Sequence, residues 1–336
     1  MRAVQVEVFG APEALVCREL PDPEPGPGQV VVAVEAAAVN RLDVLFRAGR
    51  YHRGASLPAT PGVEGAGRVV ALGAGVEAFG VGDRVLGWGA TGAPGFYAER
   101  AVLPVDSLVP VPTSVELADA AGLPTAWLSA YYCLVHLGAV QAGQTVLVHA
   151  AASGVGSAAV QIAAGLGARV LGSAGSPAKA DWLTEHGVDV VHTGSSEADL
   201  DAVVAAVSER TEGRGADVVL DLVGGTTFAA SLKSVARAGR VVAMANVETA
   251  PSTIDTRDFY PRNVSIHGFQ INDLRDHGWD SRPDLEVLLD GVAAGRFVVP
   301  RDSTFALTDA AAAHRRLESR EAIGKIALTT TDGDPG

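Results

Sequence analysis

The run TVLVHAAASGVGSAAVQIA at residues 145–163 constrains the fold more than any other stretch of this chain. An apolar strand passes straight into a small-residue turn, and the turn opens a helix whose first turn lacks bulky side chains. Small residues let the backbone approach a ligand closely, while free amides and the helix dipole at the N-terminus favour negative charge. Such a turn suits a pyrophosphate, with Ala152, Ser153, Gly154, Val155 and Gly156 as the candidate cradle. Set against GxGxxG, the positions read Ala151, Ser153 and Gly156, so only the last glycine of the pattern is matched. The setting gives the turn its weight. Five further short apolar runs follow at 168–173, 188–192, 217–222, 240–245 and 264–268, spaced for βα units. Six strands is the count of a full dinucleotide-binding sheet, parallel and joined by right-handed crossovers. Helix-period segments at 157–166 and 176–186 lie between them, the second with Pro177 at its first turn.

The first hundred residues read differently. They are rich in Gly and Pro and carry short β-branched runs at 30–34 and 68–72, separated by turn chemistry such as PDPEPGPGQ and GVGD. A compact, mostly β domain is expected there, and 336 residues is a length for about two domains. Beyond the sheet, 285–295 and 309–318 read as amphipathic helices, and 325–328 as an apolar strand that returns to the first domain. The tail from 329 has little to bury and is expected to fray.

Composition narrows the function classes. With 48% hydrophobic and 19% charged residues there is ample apolar surface to offset chain entropy. The 26 basic and 39 acidic residues give a net charge of −13, which disfavours nucleic acid as a partner. Cys17 and Cys133 form no CxxC and can build neither a disulfide framework nor a zinc finger, so a reducing cytoplasm is the expected compartment. Gln5 and Glu7 interrupt any signal-like stretch. The apolar run at 120–140 contains Pro124, two tyrosines and His136, which a core helix tolerates better than a bilayer, so no membrane partner is expected.

The form of the nucleotide depends on the end of the second strand, where an acid would accept from a free ribose 2′-OH and repel a 2′-phosphate. That strand ends Leu171-Gly172-Ser173, without a carboxylate. Ser173 as a hydroxyl donor and Lys179 as a point charge would suit NADP(H); the plainer reading of Lys179 is a solvated helix lysine.

These blocks, with NRLDVLFRAGRY (40–51), PGVEGAGRVVALGAGV (61–76), VGDRV (81–85), DVVLDLVGG (217–225), AHRRLES (313–319) and GKIAL (324–328), make the chain resemble the medium-chain dehydrogenase/reductase superfamily. It is most similar to the zinc-free NADPH:quinone oxidoreductase, zeta-crystallin-like branch, over 30–328. The resemblance implies an α/β architecture: a GroES-like β domain of residues 1–122 with 270–336 returning to it, and a Rossmann NADP(H)-binding domain at 123–269 with a doubly wound parallel six-stranded sheet and the nicotinamide in the cleft. Zinc-dependent relatives place a Cys at Asn40 and a His at Val63, so no metal is expected.

The implied activity is hydride transfer from NADPH to a small-molecule quinone or α,β-unsaturated carbonyl, acceptors electrophilic enough to need no metal. The family's N-x-x-D segment and following Tyr map onto Asn40, Asp43 and Tyr51. Tyr51 is the expected proton donor, Asn40 the orienter and Asp43 its support; Asp43 equally reads as a helix cap and Tyr51 as a packed aromatic. Carry-over also places Ser129, Val223, Gly224, Asn246, Phe269 and Lys325 around the cofactor. Ser129 could instead bond back to its own helix, and Lys325 could be a structural strand lysine. Two departures stand out: Ser153 replaces a family glycine, and Gly194 falls where many relatives have a Tyr on the 2′-phosphate. Trp88, Phe96 and Tyr97 flank a Gly-rich stretch that is either a flexible wall of the substrate cleft or a loop they anchor. A homodimer formed through the sheet edge at 264–271 is expected. The competing functions are an enoyl reductase of a polyketide or other biosynthetic pathway, and a non-catalytic NADPH-binding protein of structural or RNA-binding role.

Overall fold

The computed structural model describes residues 1–53, 56–89, 95–194, 196–247 and 251–330. The chain divides into two units, Met1–Leu128 with Asp280–Gly336, and Ser129–Trp279. The division falls later than 122 and 269 for reasons of packing. The Trp127 ring packs against that of Phe297, tilted by 51° at 5.4 Å between ring centroids, keeping its helical turn with the first unit. Trp279 lies 4.8 Å from the Tyr132 ring, keeping helix Ile271–Asp276 with the second.

In the first unit, strand Gln29–Val39 is the organising element. It pairs antiparallel with Glu64–Leu72, Arg100–Pro104 and Lys325–Thr329, so the C-terminal strand does return to this sheet. Val30, Val32 and Val34 and, beyond the register shift at Val34/Ala36, Ala37 and Val39 alternate into one core cluster with Phe96, Tyr97, Ile326 and Leu328. That period of two is what a half-buried strand requires. Thr329 belongs to the strand and Thr330 bonds to Glu35 O, so the chain is still paired at both; residues 331–336 lie outside the described residues. Trp88, Phe96 and Tyr97 are buried, with Tyr97 Oη 3.1 Å from His314 Nε2, so they act as anchors. The Gly-rich stretch at 90–94, read as a flexible wall, lies outside the described residues.

The second unit is a six-stranded parallel sheet. In spatial order its strands are Asp189–Thr193, Arg169–Ala174, Thr145–Val148, Ala216–Asp221, Val235–Ala243 and Ser265–Gly268. Numbered along the chain this order is 3-2-1-4-5-6, with the topological switch between Thr145–Val148 and Ala216–Asp221. Leu147, Leu171, Val219, Leu232 and Val241 share its core, each fully buried. Burying such a side chain contributes roughly 1.5–3 kcal/mol. Among the described residues no helix is long and apolar enough to cross a membrane.

Candidate functional site

In the second unit the glycine-rich turn sits at the carboxyl end of Thr145–Val148. The helix that follows runs Gly154–Gly165 and so starts three residues before the expected 157. The cause is its cap: Ser153 Oγ accepts from Gly156 N–H at 3.1 Å, a hydroxyl at the N-cap doing what a glycine could not. The first-turn amides of Gly154 and Val155 have no helical carbonyl to meet, as at any helix start. A Cβ at Gly156 would lie 2.3 Å from Ala150 O, so only glycine allows the helix to close on the strand end. Turn, cap and glycine together form a cradle that fits a pyrophosphate.

The neighbouring strand ends complete this rim. His149 is buried, with Nδ1 3.1 Å from Ser173 Oγ and its Nε2 buried without a hydrogen-bond partner among the described residues. Burial holds its imidazole below the ordinary range. Ser173, expected to meet a 2′-phosphate, is thus a buried hydroxyl turned toward His149. Asp221, fully buried, accepts from the N–H groups of Val223 and Gly224 at 2.9 Å each and from Ser231 Oγ at 3.0 Å. These bonds shape the loop that carries Val223 and Gly224, and Gly224 has φ +72. Val247 N–H reaches back to Val223 O, which sets exposed Asn246 beside the same loop. Buried Phe269 donates its N–H to Ala243 O at the end of the fifth strand. Ser129 is buried at the start of this unit, and Lys179 is half-buried in the first turn of Pro177–Glu185. The structure therefore brings Ala152–Gly156, Ser173, Val223, Gly224, Asn246 and Phe269 to the carboxyl edge of one sheet.

The first unit holds a second cluster, made by partners distant in sequence. Asn40 caps helix Arg41–Arg47, and its backbone N–H donates to Asp43 Oδ2 at 2.9 Å. Its side-chain Nδ2 donates to Glu64 Oε1 at 2.7 Å and to Ala38 O at 3.4 Å. Lys325 Nζ donates to Asn40 Oδ1 at 2.7 Å, Glu64 Oε1 at 2.9 Å and Val39 O at 3.4 Å. Glu64 Oε2 accepts the Thr125 N–H at 2.6 Å. Asp43 is held up at about 7, mainly by burial, against the downward pull of the Asn40 N–H.

The three donors of the Lys325 ammonium all have acceptors inside this cluster, so the residue acts here as a buried strand lysine. The Asn40 amide is likewise held at both ends. Tyr51 lies just beyond the helix, half-buried against the core, with its ring 4.5 Å from that of His52. Among the described residues no three of His, Cys, Asp and Glu converge as metal donors.

Glu64, Thr125, His149 and Asp221 escaped the sequence reading. A signal was present for three of them. Glu64 and Lys325 are lone opposite charges in PGVEGAG and GKIAL, and the strands VLVH and VVLD each end on a titratable group. Thr125 contributes only its backbone and carries no such signal.

Residues 26–113 match the family described as alcohol dehydrogenase GroES-like domain, and 154–285 the family described as zinc-binding dehydrogenase. A quinone oxidoreductase of Pseudomonas aeruginosa is 33% identical over 97% of this chain and 99% of its own length. A phthioceranic/hydroxyphthioceranic acid synthase of Mycobacterium tuberculosis is 34% identical over 90% of this chain, which spans 14% of that protein. Among solved structures, an NAD-dependent alcohol dehydrogenase superposes with TM-score 0.89 at 33% identity, covering 98% of this chain and 100% of its own. A mycobacterial protein in complex with NADPH superposes with TM-score 0.86 at 33% identity, with the same coverage.

Proposed function

The chain belongs to the medium-chain dehydrogenase/reductase superfamily and is an oxidoreductase of nicotinamide dinucleotides; on that premise we propose that it is an NADPH-dependent, zinc-independent reductase of quinones or α,β-unsaturated carbonyls. The observation that carries the reading is the cradle at Ser153–Gly156, where a Cβ at the last glycine would strike backbone at 2.3 Å. The amides of Gly154 and Val155 would hold the pyrophosphate, the loop of Val223 and Gly224 with Asn246 and Phe269 would line the nicotinamide half, and Ser129 would meet its carboxamide. Lys179 would serve a 2′-phosphate as a point charge. When bound, the reduced nicotinamide supplies a hydride.

This chain's residues do the rest. Where zinc-dependent relatives need metal donors, Asn40 is tied to Glu64 and Lys325 and Val63 has none to offer, a donor set that does not fit zinc. The acceptor must then be electrophilic in its own right, as quinones and conjugated enones are. Tyr51 donates a proton to the reduced oxygen or carbon, and Asn40 and Asp43 hold the helix that precedes it. A second reading, enoyl reduction in a biosynthetic pathway, is favoured by the 34% identity to the mycobacterial synthase. The sheet edge at Ser265–Gly268, with Ile266 exposed, supports a homodimer.

The test is a fluorescence titration with NADPH and NADH followed by turnover with quinones, enones, enoyl thioesters and saturated ketones. NADPH binding with quinone or enone turnover is expected. Turnover of enoyl thioesters alone would select the second reading, and binding with no turnover at all would leave a non-catalytic binder.

A further inference from the structure

The carboxyl end of the second strand of a dinucleotide sheet faces the adenosine ribose, and a carboxylate there prefers a free 2′-OH. Here that strand, Arg169–Ala174, ends without an acid, and its Ser173 hydroxyl is buried against His149. The turn after the third strand brings a carboxylate beside the residue that bonds to this strand end. Gly194, the residue after Asp189–Thr193, donates its N–H to Ala174 O at 2.9 Å, stitching the two strand ends together. Gly194 has φ +148, and a Cβ there would lie 2.5 Å from Asp199 Oδ2. The Asp199 carboxylate thus occupies the space that a side chain at 194 would need, so a larger residue there would displace it.

That carboxylate is fixed. It accepts from Ser196 N–H at 2.7 Å, Ser196 Oγ at 2.6 Å and His192 Nε2 at 2.9 Å. The same contacts hold its carboxyl down at about 2, so it is ionised throughout the neutral range. Lys179, in the first turn of Pro177–Glu185, the helix that follows the second strand, carries the opposite charge.

We propose that Asp199 is a specificity-determining residue that offsets part of the pull of Lys179 on a 2′-phosphorylated adenosine, so that the site accepts NADPH but discriminates less sharply between the two nucleotides than Lys179 alone would. The inference rests on the dinucleotide reading of this sheet. A phosphate monoester carries about −1.5 to −2 charges near neutral pH, so an ionised carboxylate at the strand end repels it and leaves a ribose hydroxyl untouched.

The fragments 2′,5′-ADP and 5′-AMP, titrated calorimetrically at pH 8 and low salt, isolate the adenosine end from any chemistry at the nicotinamide. Asp199→Asn keeps an acceptor oxygen for the helix cap and removes the charge. The variant is expected to tighten 2′,5′-ADP by about three- to tenfold while 5′-AMP stays within about twofold, and salt near 1 M should erase the difference. Asp199→Ser removes the same charge with a smaller side chain and should give the same ratio if the amide disturbs the turn. An unchanged ratio in both variants, or equal shifts for both fragments, would overturn the proposal and leave the cofactor reading standing. No binding of either fragment to the wild-type chain would overturn both.

Discussion

The two units bury their polar groups in different ways. In the first, Asn40, Glu64 and Lys325 come from three separate regions of the chain and satisfy one another through side chains, with a full ion pair 2.9 Å long at the centre. In the second, Asp221 is satisfied mostly by amides two and three residues further on, and His149 and Ser173 meet at adjacent strand ends. One network closes a long-range ion pair between side chains, whereas the other closes adjacent strand ends on backbone amides, hydroxyls and an imidazole. A charged network fixes geometry at the risk of a large penalty if it is broken, whereas a local one shapes a ligand rim at small cost.

The largest expected effect is on the charged network. Lys325→Met leaves Glu64 buried and unpaired and should lower the unfolding free energy by about 3–5 kcal/mol, read from urea denaturation. Adding Glu64→Gln should restore most of that loss; a double variant as unstable as the single one would show that the pair matters only as packing. Next is Tyr51→Phe, expected to lower kcat by about a hundredfold with an unchanged urea midpoint, since a donor acts on the rate alone. Unaltered kcat would remove Tyr51 from the chemistry.

Asp43 gives a third effect, spread over several pH units and with a definite sign. Its carboxyl titrates at about 7 in the folded chain against an ordinary value of 3.8. Between these values the folded state holds a proton that the unfolded state has released, so stability falls as pH rises from about 4 to 7 and levels off above. The slope approaches about 1.4 kcal/mol per pH unit at most, and Asp43→Asn should abolish it. A wild-type profile flat over that window would contradict the assignment. Smallest is Ser173→Ala, which removes one neutral hydrogen bond and should cost about 1 kcal/mol by the same denaturation. A loss as large as that of Lys325→Met would mean that the local network is no weaker than the charged one.

The same contrast governs what could be read in advance. Strands at the glycine turn and the five runs after it are legible because apolar periodicity and turn chemistry are local, and the six-stranded parallel order follows from them. The helix start at Gly154 is hidden by two glycines, residues that favour helix poorly, and becomes clear only once Ser153 is seen as its cap. Lys325 as a partner of Glu64 is invisible locally, because the pairing depends on strand register between residues 261 positions apart. Gly194 is legible in the sequence as a departure from the family pattern, whereas the Asp199 carboxylate that fills the space beside it emerges only from the turn that folds one over the other.

The central claim is hydride transfer from a bound reduced nicotinamide to an acceptor activated without metal. Stopped-flow oxidation of enzyme-bound NADPH by a quinone, before and after exhaustive chelation with metal content measured, tests it most directly. The account predicts equal single-turnover rates in metal-free and untreated protein. Loss of the rate on chelation, with recovery on adding zinc, would contradict it.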